Sequence, residues 1–360
     1  MVNFKGGGFR GCLVSALLLI IANPDARAAR EFEHVGLAGG QVRFIPTDAR
    51  AAAMGTAYTA LAEGTSGAYW NMGALGISPQ YSGLAVSDND YLTGEDSELY
   101  SIDSYSGFEG FGVGLHMTQY KFESAIRTVD HPEGDGTYTV SEKIGLLGAG
   151  LNMRKLIPRL SQTMEWGVGI GLVFVDGGMS QSDYSNWDLD FGTQFIVDLP
   201  LAGPSALAGS PLSFRFGWTL RNATKGTLKQ ENKDFKLGRR DRAGLALEVK
   251  IAEDPQFGPL FEAVLAGERR KVFFGAYQGE DSIDQFGIEI RGAGIVSFRK
   301  GIIFDENNMG YDIDSWGIGI GLKPGNRISP NMGAQLDYTE VDYKVLGETE
   351  QFTVSGWIVF

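Results

Sequence analysis

Met164, Trp166, Val168, Ile170, Leu172 and Phe174 are large, apolar and two residues apart, with Gly167, Gly169 and Gly171 in the opposite phase. A period of two belongs to a strand, because successive side chains there point to opposite faces. The pattern recurs along the chain. Leu212, Phe214, Phe216, Trp218 and Leu220 alternate with Ser213, Arg215, Gly217, Thr219 and Arg221. Trp316, Ile318, Ile320 and Leu322 alternate with Gly317, Gly319 and Gly321, and Trp187, Leu189, Phe191, Phe195 and Val197 with Asp188, Asp190, Gly192 and Gln194. Strands with one apolar face fit a β-sandwich, a propeller or a barrel. Aromatic residues near the strand tips favour a barrel set in a bilayer, where they form an interfacial girdle. No later run is long and apolar enough for a membrane helix, which leaves this reading open because a barrel crosses with strands.

The two ends agree. Lys5 and Arg10, the apolar run Cys12 to Ile21 and Ala26-Arg27-Ala28 fit a secretory signal, so 1–28 is expected to be removed. Cleavage there takes the single cysteine with it, leaving no thiol, disulfide or Cys-based metal site. At the other end Phe352, Val354, Ile358 and Phe360 share one face, with Thr353 and Ser355 opposite. Bacterial outer-membrane barrels often close on such a strand, and Phe360 is expected to be the aromatic that the barrel assembly machinery reads. The expected location is therefore the bacterial outer membrane, with its lipid as first partner. A net charge of −13 argues against nucleic acid, which needs basic patches.

The expected organisation is a signal peptide over 1–28, an N-terminal hatch segment over 29–78 and a barrel over 79–360. Within 29–78, Glu31 to Pro46 is polar. Asp48 then offers an N-cap for a small-faced helix running through Ala51, Ala52, Ala53, Met54, Ala57, Ala60 and Leu61 to Glu63, and a second short turn covers Ser66 to Asn71. Template matching gives about fifteen strands after Tyr81. A bacterial single-chain barrel has an even number, so the weakest, Val272–Ala276, is assigned to an outer loop and the expectation is an all-β, antiparallel transmembrane barrel of about fourteen strands. Outer loops are expected at Lys121–Gly136, Asp176–Asn186, Asn222–Arg239, Asp305–Asp314 and Val341–Glu350. Glycine, at 51 of 360 residues, sits inside strands and suits curved walls around a crowded interior.

Little in the chain suggests catalysis. His34, His116 and His131 have no partner at metal-ligand or triad spacing, and no nucleophile elbow or phosphate loop occurs. Gly110, Gly112 and Gly114 alternate with apolar residues and read as strand. Asp305 to Gly310 resembles a calcium loop, but Met309 breaks the oxygen pattern and no bidentate Glu follows. No catalytic site, metal or cofactor is expected. The inward phase carries both signs of charge: Asp188, Asp190, Arg215, Arg221, Glu248, Lys250, Glu262, Glu289, Arg291, Arg299 and Asp337. A selective pore tends to line its constriction with one sign, whereas mixed charges pair across a narrow interior or against a plug.

The run Asp48 to Ala62 followed by Ala68-Tyr69-Trp70-Asn71 resembles the N-terminal signature of the PorV/PorQ-like outer-membrane family, a branch of the FadL-like fatty-acid-transporter barrels. Phe286 to Glu289 and Trp316 to Lys323 are similar to its late-strand motifs. The resemblance implies a barrel whose N-terminal segment folds into the lumen as a hatch, with Asp48, Arg50, Met54, Gly55, Trp70 and Asn71 as hatch or ligand-path residues. Arg215, Glu289, Arg291 and Arg299 are the lumen charges expected to face it. It also implies either passive passage or binding of a hydrophobic small molecule, or service in a type IX-like secretion system that holds exported or partner proteins. Where the family has Asn-Pro-Ala, this chain has Asn71-Met72-Gly73, which frees a φ angle and is expected to loosen the turn.

Overall fold

Alternating residues become a closed wall. The computed structural model describes residues 41–90, 97–125, 137–157, 163–179, 182–200, 211–224, 227–230, 233–236, 238–254, 258–273, 280–304, 312–322, 331–344 and 347–359. The strands are β1 (Ser82–Asp90), β2 (Ser97–Phe108), β3 (Phe111–Ala125), β4 (Thr137–Asn152), β5 (Met164–Met179), β6 (Ser182–Pro200), β7 (Pro211–Arg221), β8 (Thr227–Gln230), β9 (Lys233–Lys236), β10 (Arg239–Asp254), β11 (Gly258–Phe273), β12 (Glu280–Gly292), β13 (Val296–Phe304), β14 (Ile313–Leu322), β15 (Met332–Asp342) and β16 (Glu348–Ile358). Among the described residues, fourteen of them form one closed antiparallel barrel, and β8 and β9 pair only with each other. Closure is made by β1 against β16, from Ser82 opposite Ile358 to Asp90 opposite Glu350. Full closure leaves no unpaired edge, which a strand in lipid cannot tolerate.

Several sequence expectations need correction. Val272 is not in a loop: it pairs with Asp281 at the end of β11. The strand number still comes to fourteen because β10, β11 and β12 are three long strands in that region. Asp176–Asn186 is not a loop either, since β5 and β6 stay paired to Met179 opposite Ser182. Polar residues there misled the pattern, because backbone pairing continues where the apolar face ends. Phe360, His34, His131 and the Asp305–Gly310 stretch lie outside the described residues.

The exterior phase is apolar as expected. Ile170, Phe174, Trp187, Ile320, Phe352 and Val354 are exposed, and Trp166, Phe216 and Ile318 are outward-facing and half-exposed. Trp166 and Phe195 stack at 5.2 Å near one rim, and Phe108 and Phe111 stack at 4.6 Å on the same side. We call this the near rim: it holds the start of β1 and the end of β16. The β8–β9 hairpin lies at the opposite, far rim.

The interior is occupied by part of the chain. Residues 41–77 lie inside the barrel as a 3-10 turn (Gln41–Phe44), a helix (Ala49–Ala53), a second 3-10 turn (Gly64–Ser66) and helices Gly67–Trp70 and Met72–Ile77. The expected helix to Glu63 stops at Ala53. Gly55 and Thr56 both take left-handed backbone, at φ 60° and 58°, which no α-helix can continue. Three buried apolar clusters pack this segment to the wall, one of them Leu75, Met72 and Val42 against Leu99, Leu146 and Val173. Glycine explains how backbone and wall come so close. A Cβ on Gly301 or Gly287 would collide with the Met54–Gly55 backbone, and one on Gly169 or Gly192 with the start of the Met72–Ile77 helix.

Candidate functional site

The lumenal segment is held by polar contacts that gather around Glu289 on β12. Arg50 reaches from the segment and donates to Glu289 Oε2 from Nη2 at 2.7 Å and Nε at 3.1 Å. Two wall arginines share the other oxygen: Arg291 at 2.9 Å from β12 and Arg299 at 3.2 Å from β13. Arg299 also pairs with Asp337 at 2.6 Å, and Arg291 with Glu262 at 3.3 Å. Three guanidiniums thus meet three carboxylates, all buried or nearly so. Such a network is stable only when every member is paired, because an isolated buried charge is costly. Arg215 belongs elsewhere: it pairs with Glu248 at 2.6 Å, wall to wall.

Asp48 caps its helix, accepting from the amides of Arg50 at 2.9 Å and Ala51 at 3.3 Å. Among the described residues it has no ion pair. Burial, reinforced by Asp337, pushes its carboxyl up to about 6. Asn71 is fully buried and caps the next helix through Gly73, while its amide donates to Thr59 O at 3.0 Å and Thr193 O at 2.9 Å. Gly73, where the sequence led to the expectation of a looser turn, lies so close to the Thr193–Gln194 backbone that a side chain would not fit, and the Asn71 amide ties the same turn to Thr193. Met54 is completely buried, Gly55 supplies the left-handed turn, and Trp70 lies edge-on to Tyr58 and Tyr69.

Other anchors were not legible as site residues. Glu268 accepts from the amides of Tyr58 at 3.0 Å and Thr59 at 2.9 Å and pairs with Arg242, whose guanidinium donates to Thr56 O at 2.6 Å and lies 4.6 Å from the Trp70 ring. Arg43 pairs with Asp190. Arg221 lies 4.5 Å from the Tyr69 ring, and Arg240 lies 3.5 Å from the Phe44 ring. Arg242 shares the phase of Glu248 on β10, and Glu268 that of Glu262 on β11, a signal that could have found both; nothing in the polar run before Pro46 marks Arg43. His116 also gains partners: Asp103 at 2.7 Å, directly opposite on β2, and Thr118 on its other ring nitrogen. Strand pairing supplied what chain spacing lacked.

Among the described residues, a cavity lies between the segment and the wall. It holds about 280 Å³ and is lined by Asp48, Arg50, Tyr58 and Glu63 on one side and by Tyr81, Asp337 and Trp357 on the other. Exposed Pro79 and Gln80 stand at its near-rim mouth. Asp48 and Arg50 are therefore the expected site residues that reach an open space; Met54, Gly55 and Asn71 are packed against the wall. Among the described residues no cluster of His, Cys, Asp and Glu could hold a metal ion.

No protein-family model matches the chain. No curated protein does either. Solved structures that superpose on it include the CymD monoaromatic hydrocarbon channel, 11% identical over 92% of this chain and 99% of that one with a TM-score of 0.46. The Ralstonia pickettii toluene transporter TbuX is 11% identical over 86% and 97%, TM-score 0.44. A Pseudomonas aeruginosa FadL homologue is 10% identical over 88% and 99%, TM-score 0.46. At this level of similarity the barrel assignment rests on the strand pairing itself.

Proposed function

We propose that this chain is an outer-membrane barrel of the FadL-like type, in its PorV/PorQ-like branch, that binds small, partly apolar molecules in its lumen or passes them. The observation that carries this reading is the plugged lumen. A wide aqueous pore leaves its inner charges to water, whereas here they pair with one another and with an internal segment, leaving a small cavity open to one rim. The exposed apolar belt of Ile170, Phe352 and Val354 supports a bilayer setting, since a water-facing surface of that extent is an aggregation hazard. The cavity is close to the size of small-molecule pockets and has the expected mixture of aromatic walls and a few polar groups. No feature of the described residues favours a role in a secretion complex.

The test is expression in a host with an outer membrane, followed by fractionation and uptake of radiolabelled small aromatic compounds. The protein is expected in the outer-membrane fraction, with uptake above a vector control. Uptake equal to the control, together with no binding of such compounds by the purified barrel, overturns the reading.

A further inference from the structure

We propose that the far end of the lumen holds a binding site for a phosphate group, built on Arg240, Arg221 and Arg270. The site lies at the opposite end from the near-rim cavity, and the inference goes beyond the reading given above.

Strand register brings the arginines together. Arg240 on β10 is directly opposite Arg221 on β7, and Arg242 is directly opposite Arg270 on β11. They share the inward phase at the end where β7 stops and β10 starts. Like charge therefore presses on Arg240 from Arg270, Arg242 and Arg221.

Two of these arginines lack a counter-charge. Glu268 is committed to Arg242, and Asp190 to Arg43. Arg221 directs one N–H to the Tyr69 carbonyl, and its buried Nε has no hydrogen-bond partner among the described residues. Arg240 makes no hydrogen bond or ion pair among the described residues, and its Nε is also buried. What holds each guanidinium is a ring: Phe44 lies 3.5 Å from Arg240, and Tyr69 lies 4.5 Å from Arg221. Stacking occupies the flat face of a guanidinium and leaves its in-plane N–H donors for an acceptor. Crowded like charges and unmet buried donors are both costly, and an anion relieves both.

The charge selects phosphate. Two guanidiniums without carboxylates match a dianion, whereas a monoanion leaves one unmatched. Guanidinium forks also fit phosphate oxygens in pairs. Arg240 and Arg270 are half-exposed, so a solute reaches them. Arg221 is 1% exposed and supplies a fixed charge beside them. Arg270 has contacts of its own and adds to the field.

The experiment is isothermal titration of the full-length barrel in zwitterionic micelles at about pH 8, above the second ionisation of a phosphate monoester at about 6. Sodium chloride at about 0.1 M screens attraction beyond about 10 Å. Phenyl phosphate and benzoate are the probes, and empty micelles are the blank. Phenyl phosphate is expected to bind about tenfold or more tighter than benzoate, and Arg240→Gln to weaken it about tenfold. Arg240→Lys keeps the charge but loses the fork, and should fall between. Arg269→Gln removes a cation paired with Asp284 in the opposite, outward phase, and should leave binding unchanged. Phosphatidic acid added to the micelles separates the two sources of the group. Displacement of phenyl phosphate marks a lipid headgroup site, and no displacement marks a site for a soluble phosphate; the inference stands in either case. No binding of phenyl phosphate above the blank overturns it, and so does equal binding of benzoate. A preference that survives Arg240→Gln, or that Arg269→Gln weakens as much, also overturns it.

Discussion

At the scale of single residues, Glu289 and Asp48 carry opposite kinds of electrostatic strain. Glu289 is met by three guanidiniums, so losing it leaves Arg50, Arg291 and Arg299 without their shared partner. Glu289→Ala is expected to cost about 3–5 kcal/mol of stability in denaturant titration, the usual penalty for breaking a buried pair from one side. Arg50→Ala leaves Glu289 with two arginines and should cost less, about 1–3 kcal/mol; a larger loss for Arg50 than for Glu289 would show that the hub is not the carboxylate. Asp48 works the other way. Its carboxyl sits at about 6 in the fold, above the ordinary value of 3.8, so the folded state holds the proton more tightly than the unfolded one. Its unfavourable contribution is absent below about pH 4, grows as pH rises through 6 and is constant above. The wild type should therefore lose stability relative to Asp48→Asn between those values. Parallel pH profiles for the two proteins would rule this out.

At the scale of elements, the segment 41–77 and the barrel wall fit because of glycine. The Gly55 backbone rests against β13 at Gly301, and Gly301→Val would push a branched side chain into it. Overpacking of this kind costs about 1–3 kcal/mol. The cost should fall on docking of the lumenal segment rather than on the wall, because strand pairing closes the barrel without that segment. Limited proteolysis should then cut the variant within the segment while the barrel band survives; unchanged cleavage would show that the close contact is dispensable. The lipid-facing phase of β5 gives a second test. Ile170 is exposed on the outer face. Ile170→Arg near the midplane should cost about 2–4 kcal/mol in refolding into vesicles. Refolding as efficient as wild type would place that face away from lipid.

At the scale of the whole molecule, wall and plug are held by different kinds of interaction. The wall is closed by backbone pairing; the plug is held by side-chain networks and buried alanine, tyrosine and tryptophan packing. Removing 41–77 should leave a folded barrel with a larger single-channel conductance in planar bilayers. Equal conductance with and without the segment would show that the plug does not occlude the path, and would leave the plugged-lumen argument for the proposed function without support.

The sequence by itself determined the strand period, the facing of the strands around 164–174, 187–197, 212–220 and 316–322, and the capping role of Asp48; the even strand number came from the parity rule for such barrels. Period, facing and cap are local: a strand's face follows from residues two apart, and a cap from residues two or three apart. The inward charges Arg215, Glu289, Arg291 and Arg299 were legible for the same reason. Only the tertiary structure decided which charge meets which. Glu289 with Arg50, Asp103 with His116 and Asp190 with Arg43 lie on different elements, brought together by register or by the path of the segment through the lumen. The break at Gly55 and Thr56 was hidden because small residues read as helix until the wall against them is known. The cavity was illegible for a deeper reason: it is the space left where a short, irregular segment fails to fill a regular cylinder, and no residue encodes a gap.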